Sequence, residues 1–324
     1  MADEKIITRM TLIACSIALI AIALGSFTRL MDAGLGCPDW PACYGHFLPT
    51  HSSETAFVGY KAWSEMIHRY VAGALTLFII ATVGMLIARK NYLLASILTL
   101  SVIYQIILGA WTVTLKLLPI VVTAHLVGGF LILSTLWWAY LTCKTSSLGE
   151  VAGRRGKILF FVLLGLFIVI LQILLGAWVS THYAALSCPD FPWCRKGEFL
   201  DLQFMREAFS VWTPLGVNYQ GGVLEDAARQ LIHMTHRCGA LILTSYLIFL
   251  TIYAKALWRS SLVFLKSIIV IWALLCLQLS LGLINVLLKL PLLTAVMHTV
   301  FAALLLLSFV TLIFYLTRDT KKYV

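Results

Sequence analysis

The sequence predicts an all-α membrane protein whose eight transmembrane helices form two tandem, pseudo-symmetric four-helix bundles, residues 1–150 and 151–324. Three observations predict it. Of 324 residues, 61% are hydrophobic and only 12% charged, with a mean hydropathy of +0.94. A soluble domain around one buried core does not carry that apolar excess. Apolar runs long enough to cross about 30 Å of hydrocarbon, at about 1.5 Å per helical residue, recur eight times. The third observation is a repeat: Cys37 and Cys43 are followed 151 residues later by Cys188 and Cys194, with the same internal spacing.

The first span, 10–30, follows Lys5 and Arg9 as a secretory signal would. It is too long for one, lacks a small-x-small cleavage site and has a counterpart at 158–180, so it counts as a helix. No Arg- and Ser-rich transit segment precedes it, which favours a bacterial cell membrane. It ends in Gly25-Ser26-Phe27-Thr28-Arg29-Leu30 and opens into Cys37-Pro38-Asp39-Trp40-Pro41-Ala42-Cys43. Spans at 66–88, 93–115 and 120–142 complete the first unit. The fifth, 158–180, ends in Gly176-Ala177-Trp178-Val179-Ser180 and opens into Cys188-Pro189-Asp190-Phe191-Pro192-Trp193-Cys194. Spans at 230–254, 263–287 and 291–316 follow, after a loop about 17 residues longer than its counterpart. Leu202–Trp212 and Ala56–Ile67 mix aromatics with charges at helical spacing, which predicts short helices lying in the interface. Because each unit has an even number of spans, both enter the membrane from the same side, and the repeat axis runs along the membrane normal.

Gln105, Gln172 and Gln278 each stand four residues before a glycine, Gly109, Gly176 and Gly282, whereas helix one pairs Ala21 with Gly25. Such glycines let helices approach closely, and a glutamine one turn away bonds across the contact. Packing is favoured over ligand contact for these pairs.

The net charge of +10 would fit a nucleic-acid binder, but its distribution points elsewhere. Lys5, Arg9, Arg89, Lys90, Lys144, Arg154, Arg155, Lys157, Lys255, Arg259, Lys266, Arg318, Lys321 and Lys322 share one side if both termini are cytoplasmic, as the positive-inside rule requires. Asp32, Asp39, Glu54, Asp190, Glu198, Asp201, Glu207, Glu225 and Asp226 face the outside, with the cysteine loops, while Glu150 and Asp319 lie inside.

Glu65-Met66-Ile67-His68-Arg69 returns as His233-Met234-Thr235-His236-Arg237, and each copy is followed two spans later by a single histidine, His125 or His298. An ionisable group at the bilayer centre costs about 2.5 to 3.5 kcal/mol on insertion scales, so intramembrane polar residues usually have partners and purposes. One helical histidine is most simply a satisfied polar residue. Four at matching repeat positions, all within about two turns of the outer face, point to metal ligation. Zinc wants three or four ligands together, whereas each half offers two, which suits two haems. Arg69 and Arg237 are either propionate partners or interfacial anchors. Glu65 has no acidic counterpart in the second copy, so the first half is expected to perform chemistry, as a proton acceptor or a stabiliser of developing positive charge. The bland alternative for Glu65 is a salt bridge to Arg69 or Lys61. No role is assigned to His46, His51 or His182.

On an oxidising outer face the loop cysteines read as disulfides, Cys37 to Cys43 and Cys188 to Cys194. They are either structural lids or redox-active thiols. Cys15, Cys143, Cys238 and Cys276 read as buried free thiols.

The E-x-x-H-R element at Glu65–Arg69, the single histidines His125 and His298, the pair His236-Arg237 and the C-P-D-[WF]-P-x-C loops resemble the haem A synthase family, in its cysteine-containing bacterial branch. The resemblance covers nearly the whole chain. It implies eight helices in two four-helix bundles, and oxidation of the C8 methyl of haem O to a formyl group, with water as the oxygen source. It implies haem O as substrate on His68 and His125 with Arg69, and haem b as cofactor on His236 and His298 with Arg237. Glu65 would be the catalytic carboxylate. Haem O synthase and a quinone or other electron acceptor would be partners. Two rivals remain. A dihaem b-type electron carrier would want haems near both faces. A quinone-linked thiol oxidoreductase would leave four placed histidines unexplained. A transporter would show broken helices, which are absent here.

Overall fold

A computed structural model of the chain describes residues 2–49, 56–143, 155–197, 199–255, 259 and 261–317. His51, Glu54, Lys144, Glu150, Arg154, Glu198, Arg318, Asp319, Lys321 and Lys322 lie outside the described residues. Eight long helices carry the architecture: α1 (Ala2–Leu30), α2 (Ala56–Ala88), α3 (Tyr92–Thr114), α4 (Pro119–Cys143), α5 (Arg155–Thr181), α6 (Asp226–Tyr253), α7 (Leu262–Leu287) and α8 (Leu292–Thr317). Each is long and apolar enough to cross a membrane, and no strand is present among the described residues.

Local chemistry sets the ends. Asn91 caps α3 by accepting the Leu94 N–H, and Ser261 caps α7 by accepting the Phe264 N–H, both at 3.4 Å. The turns from α3 to α4 and from α7 to α8 repeat one device. Lys116-Leu117 and Lys289-Leu290 take left-handed backbone (φ 50°, 61°, 55° and 65°). The amides of Leu117 and Leu290 return to the carbonyls of Thr112 (2.8 Å) and Asn285 (2.7 Å).

In the first half α1 packs on α2 and α4, and α3 packs on α2 and α4; in the second, α5 packs on α6 and α8, and α7 on α8. The halves meet through α1, α4, α5 and α8, and one apolar core runs through both. Polar bridges cross the seam from Ser26 to Thr299 (3.1 Å) and from Trp137 Nε1 to Thr311 Oγ1 (2.7 Å). Two further contacts join residues one repeat apart: Arg29 donates to the Ser180 carbonyl, and the Tyr183 hydroxyl donates to Asp32 at 2.8 Å, both with a separation of 151. Repeat-equivalent positions touch each other only beside a two-fold axis, so these four residues mark the pseudo-symmetry axis.

Three expectations are corrected. Ala56–Ile67 is not a separate interfacial helix but the polar first turns of α2; Ala62 and Met66 pack there against Cys37 and Cys43, which keeps the helix running. Leu202–Phe204 and Met205–Ala208 are helical as expected, but Phe209–Trp212 is not. Of the free cysteines only Cys15 is buried, Cys143 is intermediate, and Cys238 and Cys276 are exposed on helix surfaces. A lipid-facing surface is as apolar as the interior, so cysteine marks neither.

The additional loop before α6 crosses over to the first half. The Tyr219 amide donates to the Lys116 carbonyl (3.1 Å), Gln220 Nε2 to the Asp32 carbonyl (2.7 Å) and Lys116 Nζ to the Gly216 carbonyl (3.3 Å). The Tyr219 ring is buried with Leu108, Leu117, Leu118 and Val121.

Candidate functional site

The four histidines stand on α2, α4, α6 and α8. His68 and His125 have ring centroids 6.5 Å apart and planes at 80°; His236 and His298 repeat both values. Two imidazole–metal bonds of about 2 Å, on opposite sides of one metal, separate the ring centroids by about 6 Å. Each pair therefore fits a metal sandwiched between two imidazoles. Nδ1 of His68, His125 and His298 is buried without a completed hydrogen bond. The main-chain acceptors facing those rings belong to Ala21, Gln105 and Gln278. Metal-bound histidines commonly direct their second nitrogen at such a carbonyl.

What approaches the glycines is the histidine ring itself. A Cβ would stand 3.1 Å from His68 Cε1 at Gly25, 3.2 Å from His125 Cε1 at Gly109, 3.0 Å from His236 Cε1 at Gly176 and 3.4 Å from His298 Cε1 at Gly282. At these positions the close packing is against a candidate ligand histidine, and Gln105, Gln172 and Gln278 bond across the helix contacts.

All four histidines, Glu65 and Arg29 line one cavity of about 1450 Å³. Glu65 is 5% exposed. Its Oε2 accepts the Cys37 N–H at 2.9 Å, and Oε1 pairs with Arg69. Arg69 Nη1 also donates to the carbonyls of Asp39 (2.9 Å), Pro41 (3.2 Å) and Ala42 (2.6 Å). Arg237 grips the second loop in the same way, through the carbonyls of Asp190 (2.7 Å), Trp193 (3.0 Å) and Cys188 (2.6 Å). Both disulfides, Cys37–Cys43 and Cys188–Cys194, are formed. Each loop aspartate folds its own turn: Asp39 accepts the amides of Gly45 (2.8 Å) and Tyr44 (2.6 Å), and Asp190 that of Lys196 (2.8 Å). The Gly45 and Tyr44 amides hold the exposed Asp39 carboxyl below its ordinary range, with the Arg69 charge a smaller cause.

A family model described as cytochrome oxidase assembly protein, COX15-CtaA, matches residues 8–310. The chain belongs to the COX15-CtaA family. It is 40% identical over 316 residues to a Heme A synthase of Shewanella oneidensis, an alignment that covers 94% of each chain. It is 23% identical over 318 residues to a Heme A synthase of Bacillus mycoides, covering 93% of this chain and 90% of that one. With a Bacillus anthracis Heme A synthase it shares 24% over 300 residues, covering 89% and 86%.

Within this COX15-CtaA chain, two features escaped sequence reasoning. Arg29, whose guanidinium lies 3.7 Å from the centroid of the Tyr183 ring, lines the cavity between the halves; its one sequence signal was a cation in the last turn of an apolar helix. His182 is 3% exposed, its ring centroid 4.3 Å from that of Trp178 and tilted by 48° to it, with Nδ1 3.1 Å from that residue's carbonyl. Burial pushes its pKa down to about 4, so it packs as a neutral ring. His233, at the Glu65 position of the second copy, is also buried and lines the same cavity.

Proposed function

We propose that this chain is a haem A synthase of the bacterial cell membrane that oxidises the C8 methyl group of haem O to a formyl group, giving haem A for terminal oxidases. The observation that carries this reading is the pair of matching histidine clamps in one cavity, with the buried carboxylate of Glu65 three residues before His68 where the second copy has His233. In this reading His68 and His125 hold haem O in the first half, residues 1–150, and His236 and His298 hold haem b in the second, residues 151–324. Bound there, haem b supplies one-electron redox chemistry.

Conversion of methyl to formyl with water as the oxygen source releases four protons and four electrons. In this reading Glu65 takes protons: its two oxygens face the Cys37 amide and Arg69, so the carboxylate is aimed rather than free to rotate. Arg69 and Arg237 act first as clamps on the disulfide loops, and propionate contact is left to the donors that remain. The electrons pass to a quinone or another membrane acceptor, and haem O synthase is the enzyme that supplies the substrate. The charge pattern orients the chain with both termini cytoplasmic and the disulfide loops outside.

The test supplies haem O to membranes containing the protein and resolves the extracted porphyrins by chromatography. Haem A is expected to appear together with resident haem b. Unconverted haem O with both clamps loaded would overturn the assignment in favour of an electron carrier.

A further inference from the structure

Three of the four clamp histidines are held by a second device besides the glycine. Gln105 Nε2 donates to the main-chain carbonyl of His125 (2.8 Å) and Gln278 Nε2 to that of His298 (2.7 Å). Gln172 Nε2 donates to the carbonyl of His236 (3.0 Å) and lies 3.1 Å from that ring's Nδ1. Each glutamine is one turn before the glycine beneath the ring, so a single helical turn supplies both floor and brace. Gly128 and Gly239, three residues after His125 and His236, make room for two of the braces: a Cβ there would overlap Oε1 of Gln105 or Gln172.

His68 is the exception. Its floor, Gly25, is present, but the brace position holds Ala21, and the position three residues after His68 holds Val71. Their counterparts in the second half are Gln172 and Gly239. No side chain among the described residues hydrogen-bonds to the His68 main chain. The histidine without a main-chain brace, whose ring still faces the Ala21 carbonyl, is also the one three residues from Glu65, on the same helix face.

We propose that His68 is the displaceable ligand of the first clamp, the imidazole that withdraws to admit and release porphyrin, while His125, His236 and His298 stay fixed. Ala21 and Val71 are positioning residues that leave His68 free to move. The proposal rests on the reading that the histidine pairs hold haem. A substrate porphyrin must enter and its product must leave, whereas a resident one stays. Two braced ligands suit residence, and one braced with one unbraced ligand suits exchange.

Carbon monoxide tests this on the full chain in detergent, reduced and carrying the haem acquired during expression, because it binds only iron that a histidine has left. One of the two haems is expected to take it up. Gln172→Ala, which makes the second clamp resemble the first, is expected to render the second haem reactive. The reverse exchange, Ala21→Gln with Val71→Gly, is expected to slow uptake at the first haem by about fivefold to tenfold at unchanged haem content, the effect of about one net amide hydrogen bond. If the reverse exchange fails to fold, Gln172→Ala decides alone: a second haem as inert as before overturns the proposal. So do two haems that react alike in the unaltered chain. A chain with no haem absorbance after haem-replete expression defeats the clamps themselves, which is a different result.

Discussion

Glu65 is the residue on which the two halves differ most in charge, and its surroundings make the difference testable. Glu65→Gln keeps the size of the side chain and an acceptor for the Cys37 amide, but removes the negative charge that faces Arg69. General acid–base groups contribute about 10²- to 10⁴-fold, so haem A formation is expected to fall by about that factor while haem content stays near that of the unaltered protein. Porphyrin extraction measures both quantities, and conversion at the original rate would remove Glu65 from the chemistry. Gly176→Ala addresses the clamp itself. Its new Cβ would stand 3.0 Å from a carbon of the His236 ring, and Gln172 keeps that ring from retreating. Loss of haem b from the second half, with haem O still bound in the first, is the expected outcome in a haem-content assay. At this scale the four paired histidines and Glu65 were legible as candidates because a polar side chain in an apolar run stands out. The partners of Arg69 and Arg237 were not, since carbonyls presented by a loop leave no mark in the side-chain sequence.

The elements most tightly coupled to the chemistry are the two disulfide loops. Each is pinned from three directions: by its disulfide, by an arginine of α2 or α6, and by an aspartate that folds the turn. Among the described residues the first loop alone delivers an amide to a carboxylate of the adjoining long helix, from Cys37 to Glu65. Opening Cys37–Cys43 by a double Cys→Ser exchange removes a constraint worth about 2 to 3 kcal/mol for so short a loop and releases the Cys37 amide from Glu65. Haem A yield is expected to drop while haem b in the second half is retained. The same exchange at Cys188 and Cys194 is expected to do the reverse, lowering haem b content first. Extracted haem b and haem A, compared between the two variants, check the pairing of each loop with its own half. The C-terminal ends of the spans were legible to within one residue because the apolar runs end with the hydrocarbon, whereas α1 and α6 begin eight and four residues before their expected starts. The start of α2 was not legible, because its first turns lie against the disulfide loop, and a protein contact there reads in sequence like a membrane surface. The crossing of the long loop onto Lys116 and Asp32 was invisible for a related reason: its anchors are main-chain carbonyls in the other half.

For the molecule as a whole, duplication explains more than the helix count. The contacts of Arg29 with Ser180 and of Asp32 with Tyr183 bring the disulfide-loop ends of both halves to one axis, so the two clamps open into one shared cavity. That arrangement has a sidedness, and the basic residues define it. Lys5, Arg9, Arg89, Lys90, Lys157, Lys255 and Lys266 sit at the ends of the helices remote from the disulfide loops. If the positive-inside rule governs, the clamps stand in the outer leaflet. Single cysteines decide this. Trp212, 90% exposed in the loop before α6, and Lys90, exposed at the turn between α2 and α3, are on opposite sides of the membrane in any topology with these helices. In a background where the four free cysteines are serine, Trp212→Cys is expected to react with a membrane-impermeant maleimide in intact cells. Lys90→Cys is expected to react only after the membrane is opened. The opposite pattern would put both clamps and Glu65 at the cytoplasmic face, where reducing conditions work against the loop disulfides.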